Sequence, residues 1–98
     1  SYVTVDNDLI GKRYEVVLVN GTRIEFDGKG NWKDVDAEPG IVPKKIVPNA
    51  ISNYVAKNFP GTSIRQIEKR RRGGYQVELS NGLELKFDSS LKFVRMDD

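Results

Sequence analysis

The sequence predicts an α+β fold: an antiparallel sheet built from two β-meanders, with one helix packed on one of its faces. Three observations lead to it. A strand–turn–strand pattern is written twice, 61 positions apart, as Tyr14-Glu15-Val16-Val17-Leu18-Val19-Asn20-Gly21 with Ile24-Glu25-Phe26-Asp27, and as Tyr75-Gln76-Val77-Glu78-Leu79-Ser80-Asn81-Gly82 with Leu85-Lys86-Phe87-Asp88. Within each copy apolar and polar residues alternate with the period of half-buried strands. Between the copies one segment, Pro48 to Asn58, sets Ala50, Ile51, Tyr54, Val55 and Phe59 at helical spacing.

The elements follow in order. A first strand is expected at Tyr2 to Asp6. Asn20-Gly21 would ordinarily suggest a two-residue type I′ turn, but that register scatters the apolar side chains over both faces. A three-residue loop, Val19-Asn20-Gly21, instead pairs Leu18 with Thr22, Val16 with Ile24 and Tyr14 with Phe26, so a type I turn with a bulge at a left-handed Gly21 is predicted. Ser80-Asn81-Gly82 repeats the same logic, setting Tyr75 against Phe87. Each hairpin continues through an Asp-led turn, at Asp27 and at Asp88, to a short strand starting near Trp32 or Phe93.

The stretch from Glu38 to Pro43 reads as a linker, followed by one helical turn at Pro43 to Ile46. Pro48 suits the first helical position and Pro60-Gly61 ends the run. A strand at Ser63 to Lys69 then opens the second meander. One domain is expected over 1–98, with repeats at 1–38 (strands only) and 43–98 (helix plus strands). The helix is expected on the face holding Tyr14, Val16, Leu18, Tyr75, Val77 and Leu79. The first repeat lacks a matching helix, which predicts either further chain ahead of Ser1 or an uncovered apolar face open to homo-oligomer formation.

Composition narrows the chemistry. The chain has 98 residues, 38% hydrophobic and 31% charged, with neither cysteine nor histidine. That removes disulfides, thiolate nucleophiles, the commonest general base and the commonest transition-metal ligand, so an enzyme is not expected. Cofactors are expected to be none, and no apolar run is long enough to insert in a membrane. Net charge is +2, but Lys44 to Arg72 carries eight bases against Glu68, a local +7 that leaves −5 for the rest. The charge is polarised along the chain.

The pattern Val47-Pro48-Asn49-Ala50-Ile51 with Asn58-Phe59-Pro60-Gly61, followed by Ile67-Glu68-Lys69, Gly74-Tyr75-Gln76-Val77-Glu78-Leu79, Asn81-Gly82 and Phe87-Asp88, resembles the PepSY-like domains, which share the tandem-repeat fold of the β-lactamase inhibitor protein. The second repeat matches over nearly its whole length, the first from Tyr2 to Asp36. The resemblance implies a periplasmic or secreted bacterial protein, of the kind found in Bacteroides, that binds or inhibits another protein. It supplies no catalytic residues, and of the inhibitor only the open sheet face carries over, not its contacts.

Each candidate site also has a structural explanation. Asp27-Gly28-Lys29-Gly30-Asn31 faintly suggests a calcium loop, and a small-ligand or calcium-sensing domain is the alternative function, but Lys29 stands where a third oxygen donor belongs. The turns are better explained by Asp27 and Asp88 capping their own backbone, so no metal site is assigned. Lys69-Arg70-Arg71-Arg72 reads first as a solvated Gly-Gly hairpin tip, then as a contact for an acidic protein, and least as a nucleic-acid site. Trp32 reads as an aromatic plug between sheet and helix. Glu15 with Glu25, and Glu78 with Glu84, are paired carboxylates with nothing to draw their pKa values apart. The expected partner is an unidentified protein, with no nucleic acid, and the expected contact is the open face carrying Glu15, Val17, Arg23, Glu25, Gln76, Glu78 and Lys86.

Overall fold

The structure, a computed structural model, describes residues 3–8 and 13–98, with side chains described from Tyr14 onward. The elements are β1 (Val3–Asp8), β2 (Arg13–Leu18), β3 (Arg23–Phe26), β4 (Trp32–Asp36), α1 (Asn49–Asn58), β5 (Ile64–Lys69), β6 (Tyr75–Leu79), β7 (Glu84–Phe87) and β8 (Phe93–Asp97). The expected start of the first strand at Tyr2 lies outside the described residues. Among the described residues the strands form one eight-stranded antiparallel sheet in sequential order. The two meanders join by direct pairing of β4 with β5, Val35 opposite Ile67.

Turn chemistry sets the register. The amide of Leu18 donates to the carbonyl of Thr22 at 2.8 Å, and that of Gly21 to Leu18 at 2.9 Å. Leu79 with Leu83 and Gly82 with Leu79 do the same at 2.9 Å. Gly21 and Gly82 lie at φ 89 and 88, the left-handed region in which a side chain is strained. The resulting pairs, Tyr14 with Phe26 and Tyr75 with Phe87, are those the parity of the sequence requires.

The Asp-led turns close in the same manner. One carboxylate oxygen of Asp27 accepts from the amides of Lys29 and Asn31, and one of Asp88 from Ser90 and Lys92. Asn31 holds Asp27's carboxyl below its ordinary value, and Lys29 adds to that effect. In both meanders the strand after this turn carries a bulge, with Lys33 and Val94 each an extra residue between paired neighbours.

The helix begins one residue later than the sequence suggested. Pro48 stands at φ −55 and ψ 138, outside the helix, and its carbonyl accepts the first helical bonds from Ile51 and Ser52. Proline's fixed φ suits both positions, but its extended ψ makes it the cap. Beyond Phe59, the Thr62 hydroxyl donates to the Phe59 carbonyl at 2.7 Å.

The linker is more than a connection. Ala37 and Val42 donate to the carbonyls of Arg65 and Ile64, so the chain doubles back along the start of β5. Ala37, Val42 and Val47 join Ile51 and Val55 of α1, and Ile67, Val77, Leu79 and Leu85 of the sheet, in one core. Tyr54 of α1 stacks on Phe93 at 4.9 Å and meets Phe87 edge-on at 5.5 Å, favoured ring geometries.

Helical cover does not extend equally over the sheet. Val77 and Leu79 are fully buried, whereas Val16 and Leu18 are half-buried and Tyr14 is 37% exposed. The expectation that Tyr14, Val16 and Leu18 share the helix's protection is thereby corrected: α1 has ten residues and its ring contacts lie on β7 and β8. Trp32 differs from its counterpart Phe93 as well. Its ring lies 6.4 Å from Tyr75 and carries the Lys69 ammonium 4.2 Å above it, a cation–π contact at the seam of the meanders.

Candidate functional site: the open sheet face

Cross-strand register assembles the face opposite the helix into two unbroken rows. One runs Glu15, Glu25, Asp34, Glu68, Gln76, Lys86 and Arg95 from β2 to β8. The other runs Val17, Arg23, Asp36, Gln66, Glu78, Glu84 and Asp97. All seven candidate residues of the sequence, Glu15, Val17, Arg23, Glu25, Gln76, Glu78 and Lys86, fall on these rows. They are not one cluster: Glu15 and Lys86 are separated by four intervening strands.

The first row is electrically split. Four carboxylates, Glu15, Glu25, Asp34 and Glu68, stand on adjacent strands, an arrangement in which like charges directly opposite one another are destabilising. Burial pushes the Asp34 carboxyl above its ordinary value, and the charges of Glu68, Glu25 and Asp36 add to the shift. Gln66 offsets part of it by donating to both Asp34 oxygens at 3.2 and 3.4 Å. Arg23 approaches Glu15 at 3.8 Å, with most of its side chain in solvent, so the pair contributes little.

The opposite end is cationic. Lys86 and Arg95 both reach Asp97, at 3.2 and 3.3 Å, and the Lys86 contact leads in holding the Asp97 carboxyl below its ordinary value. Arg70 donates to Gln76 at 3.1 Å. Beyond them the β5–β6 turn presents Arg71 and Arg72, with Arg72 at φ 67. The basic run forms an exposed turn between β5 and β6, its left-handed positions being Arg72 and Gly73, while Gly74 is extended.

Glu78 and Glu84 do pair across β6 and β7, yet their surroundings are not equivalent. Burial, Glu38, Glu84 and Asp36 together push the Glu78 carboxyl up. Sequence reasoning missed Asp34, Asp36, Glu68, Arg95 and Asp97 as members of this face. Alternation alone could not place Asp34 or Arg95, because the bulges at Lys33 and Val94 shift parity inside their strands.

Positions 61 apart compare informatively. Side chains on the helix-side face are kept in kind: Tyr14 and Tyr75, Ile24 and Leu85, Phe26 and Phe87. The facing row is not, since Glu15, Glu25 and Asp34 answer to Gln76, Lys86 and Arg95. Two of these three positions reverse sign between the meanders, and the third goes from acidic to neutral.

No group of three or more acidic side chains among the described residues converges to hold a metal ion. No helix among them is long and apolar enough to cross a membrane.

Comparison with known proteins places this arrangement. Among curated proteins, none matches the chain. One similar crystal structure is a "putative calcium-regulated periplasmic protein" from Bacteroides thetaiotaomicron, 41% identical, TM-score 0.88, covering 98% of this chain and 75% of that one. Two others are from Bacteroides vulgatus. The first, a periplasmic protein of unknown function, is 37% identical, with TM-score 0.85 and coverage of 100% and 78%. The second, from the DUF2874 family, is 40% identical, with TM-score 0.85 and coverage of 98% and 75%. A family model described as "Putative beta-lactamase-inhibitor-like, PepSY-like" matches residues 12–95, and the chain belongs to that PepSY-like family.

Proposed function

We propose that the chain is a non-catalytic, extracytoplasmic protein-binding module that engages its partner through the open sheet face. The observation that carries this reading is the unbroken row from Glu15 to Arg95, whose acidic members Glu25 and Asp34 answer to the basic Lys86 and Arg95 at equivalent positions of the second meander. At the centre of the acidic stretch, burial and the neighbouring Glu68 and Glu25 charges disfavour the ionised Asp34 carboxyl. A partner presenting cationic side chains to Glu15, Glu25, Asp34 and Glu68 would relieve that repulsion and gain orientation from the opposite charge at Lys86 and Arg95. The periplasmic descriptions of the similar Bacteroides proteins support the extracytoplasmic setting.

Photo-crosslinking in periplasmic extract tests it. A crosslinking residue at position 25 or 78 is expected to trap a defined protein, and the trap should be lost when Glu15, Asp34 and Glu68 are neutralised to Gln, Asn and Gln. Trapping from the exposed helix position Ala56, with none from the sheet, would overturn the reading.

A second reading, calcium sensing, draws on the description of the B. thetaiotaomicron protein as calcium-regulated. Titration calorimetry with calcium chloride is its test, and binding heat accompanied by a rise in melting temperature is the result it requires.

A further inference from the structure

A groove of about 470 Å³ opens where the β5–β6 turn meets β7 and β8; on its other side the turn shares a cleft with Glu68, the last carboxylate of the acidic row. It is framed by Arg70, Arg71 and Arg72 of the β5–β6 turn, Lys86 of β7, and Val94 and Arg95 of β8. Its one carboxylate, Asp88, already commits an oxygen to the amides of Ser90 and Lys92. Asp97, outside the lining, is shared between Lys86 and Arg95. Among the described residues Arg71 and Arg72 have no ion-pair partner. Five cations therefore face one carboxylate, and two of the five are unspent.

Two further features bear on what fills the groove. The bulge in β8 brings successive residues, Val94 and Arg95, to the groove, so an apolar side chain that is 58% exposed sits beside a guanidinium. Among the described residues β8 is also the edge strand of the sheet, and an edge strand is a template for an added strand. In addition, Arg72 holds a left-handed backbone that glycine would adopt without penalty. An outlier of this kind at a cationic tip points to a role for its side chain.

We infer that this groove docks an acidic, extended polypeptide segment whose backbone adds to the edge of β8 and whose carboxylates meet Arg71, Arg72 and Arg95. The chemistry selects a peptide over a nucleic acid. Guanidinium groups pair carboxylates and phosphates alike, so the selection rests on the strand edge, whose backbone donors and acceptors another extended polypeptide returns in register. Base stacking has no platform here, because the one aromatic ring lining the groove, Phe87, is 3% exposed. The inference goes beyond the sheet-face reading, since the probe below involves neither the acidic quartet nor a natural partner.

The test is fluorescence anisotropy of the 98-residue chain with a labelled peptide of about eight residues alternating Glu and Val, long enough to pair along one strand. Binding is expected to weaken about tenfold or more in the double variant Arg71→Glu, Arg72→Glu. It should persist in Lys44→Glu, Lys57→Glu, which changes net charge equally at exposed sites away from the groove. The peptide N-methylated along one edge should bind at least about tenfold more weakly, as loss of strand pairing requires. Equal weakening by the two charge-reversed variants, indifference to N-methylation, or equally tight binding of a single-stranded oligonucleotide of matched charge would each overturn the inference. Circular dichroism melting of the Arg71→Glu, Arg72→Glu variant shows whether the fold is kept, and Arg95→Gln supplies an independent disruption from another strand.

Discussion

Gly74 and Arg72 stand two residues apart and make opposite demands on the backbone. A Cβ on Gly74 would lie 2.8 Å from the Phe87 carbonyl oxygen, a main-chain atom fixed in the sheet. Gly74→Ala is expected to lower stability by about 1–3 kcal/mol in urea unfolding. Arg72 is the reverse case, a side chain on a left-handed backbone at φ 67. Arg72→Gly should raise stability by up to about 1 kcal/mol, strain relief being partly offset by the freer unfolded chain. The same change should weaken acidic-peptide binding, a trade of function for stability. Asp34 yields a pH-dependent case. Its carboxyl is raised, so the folded chain holds the proton more tightly than the unfolded one. Its charge therefore costs stability above the folded pKa, and that cost fades as pH falls into the window just above 3.8. Asp34→Asn keeps an acceptor for Gln66 and is expected to stabilise by about 0.5 kcal/mol near neutral pH. Melting curves should show the gain disappear by about pH 3, where both forms are neutral.

Hairpins were the most legible elements because turn length and face parity constrain each other. Once Tyr14, Val16 and Leu18 must share a face with Ile24 and Phe26, only an odd loop closing on Gly21 works. The Asp88 turn was harder to read. Its left-handed residue is Leu91 at φ 66, where the equivalent turn uses Gly30. No glycine marks the spot, and Leu91 packs on the core, so burial outweighs the backbone penalty. The bulges at Lys33 and Val94 left no compositional trace, which is why Asp34 and Arg95 escaped assignment to the open face. Helix α1 was recognisable from its apolar spacing, but what it covers was not, because ten residues cannot span eight strands. Its anchor is Tyr54, which touches Phe59, Phe87 and Phe93. Tyr54→Ala is expected to cost about 2–4 kcal/mol and to loosen β8, whereas Tyr54→Phe keeps the rings and should shift stability by less than about 0.5 kcal/mol. Thermal and urea unfolding of the pair distinguish ring packing from any contribution of the hydroxyl.

Across the whole molecule, charge and burial are distributed on different axes. The sequence showed that charge was polarised along the chain, but only the register turned that into an acidic row over β2 to β5 and a basic groove over the β5–β6 turn, β7 and β8, the two meeting at Glu68. Burial divides elsewhere. Among the residues whose side chains are described, the buried apolar core lies between Val35 and Phe87, and the seam residues Val35 and Ile67 are both fully buried. The cooperative unit is therefore β4 to β7 with α1 and the folded-back linker, so its boundary falls between β3 and β4, inside the first meander. β2 and β3 attach to that unit through half-buried side chains such as Ile24, with Tyr14 still 37% exposed. Regions with less buried apolar contact open without global unfolding. Hydrogen exchange under native conditions is expected to show the slowest amides in β6 and β7. Those of β2 should exchange at least about tenfold faster, through an opening that leaves the second meander intact. Denaturant should leave the β2 opening nearly unchanged at low concentration while accelerating β6 only near the global transition. Equal protection of β2 and β6 would mean that the β4–β5 seam couples both meanders into one unit, and that the half-buried stripe of β2 and β3 suffices without helical cover.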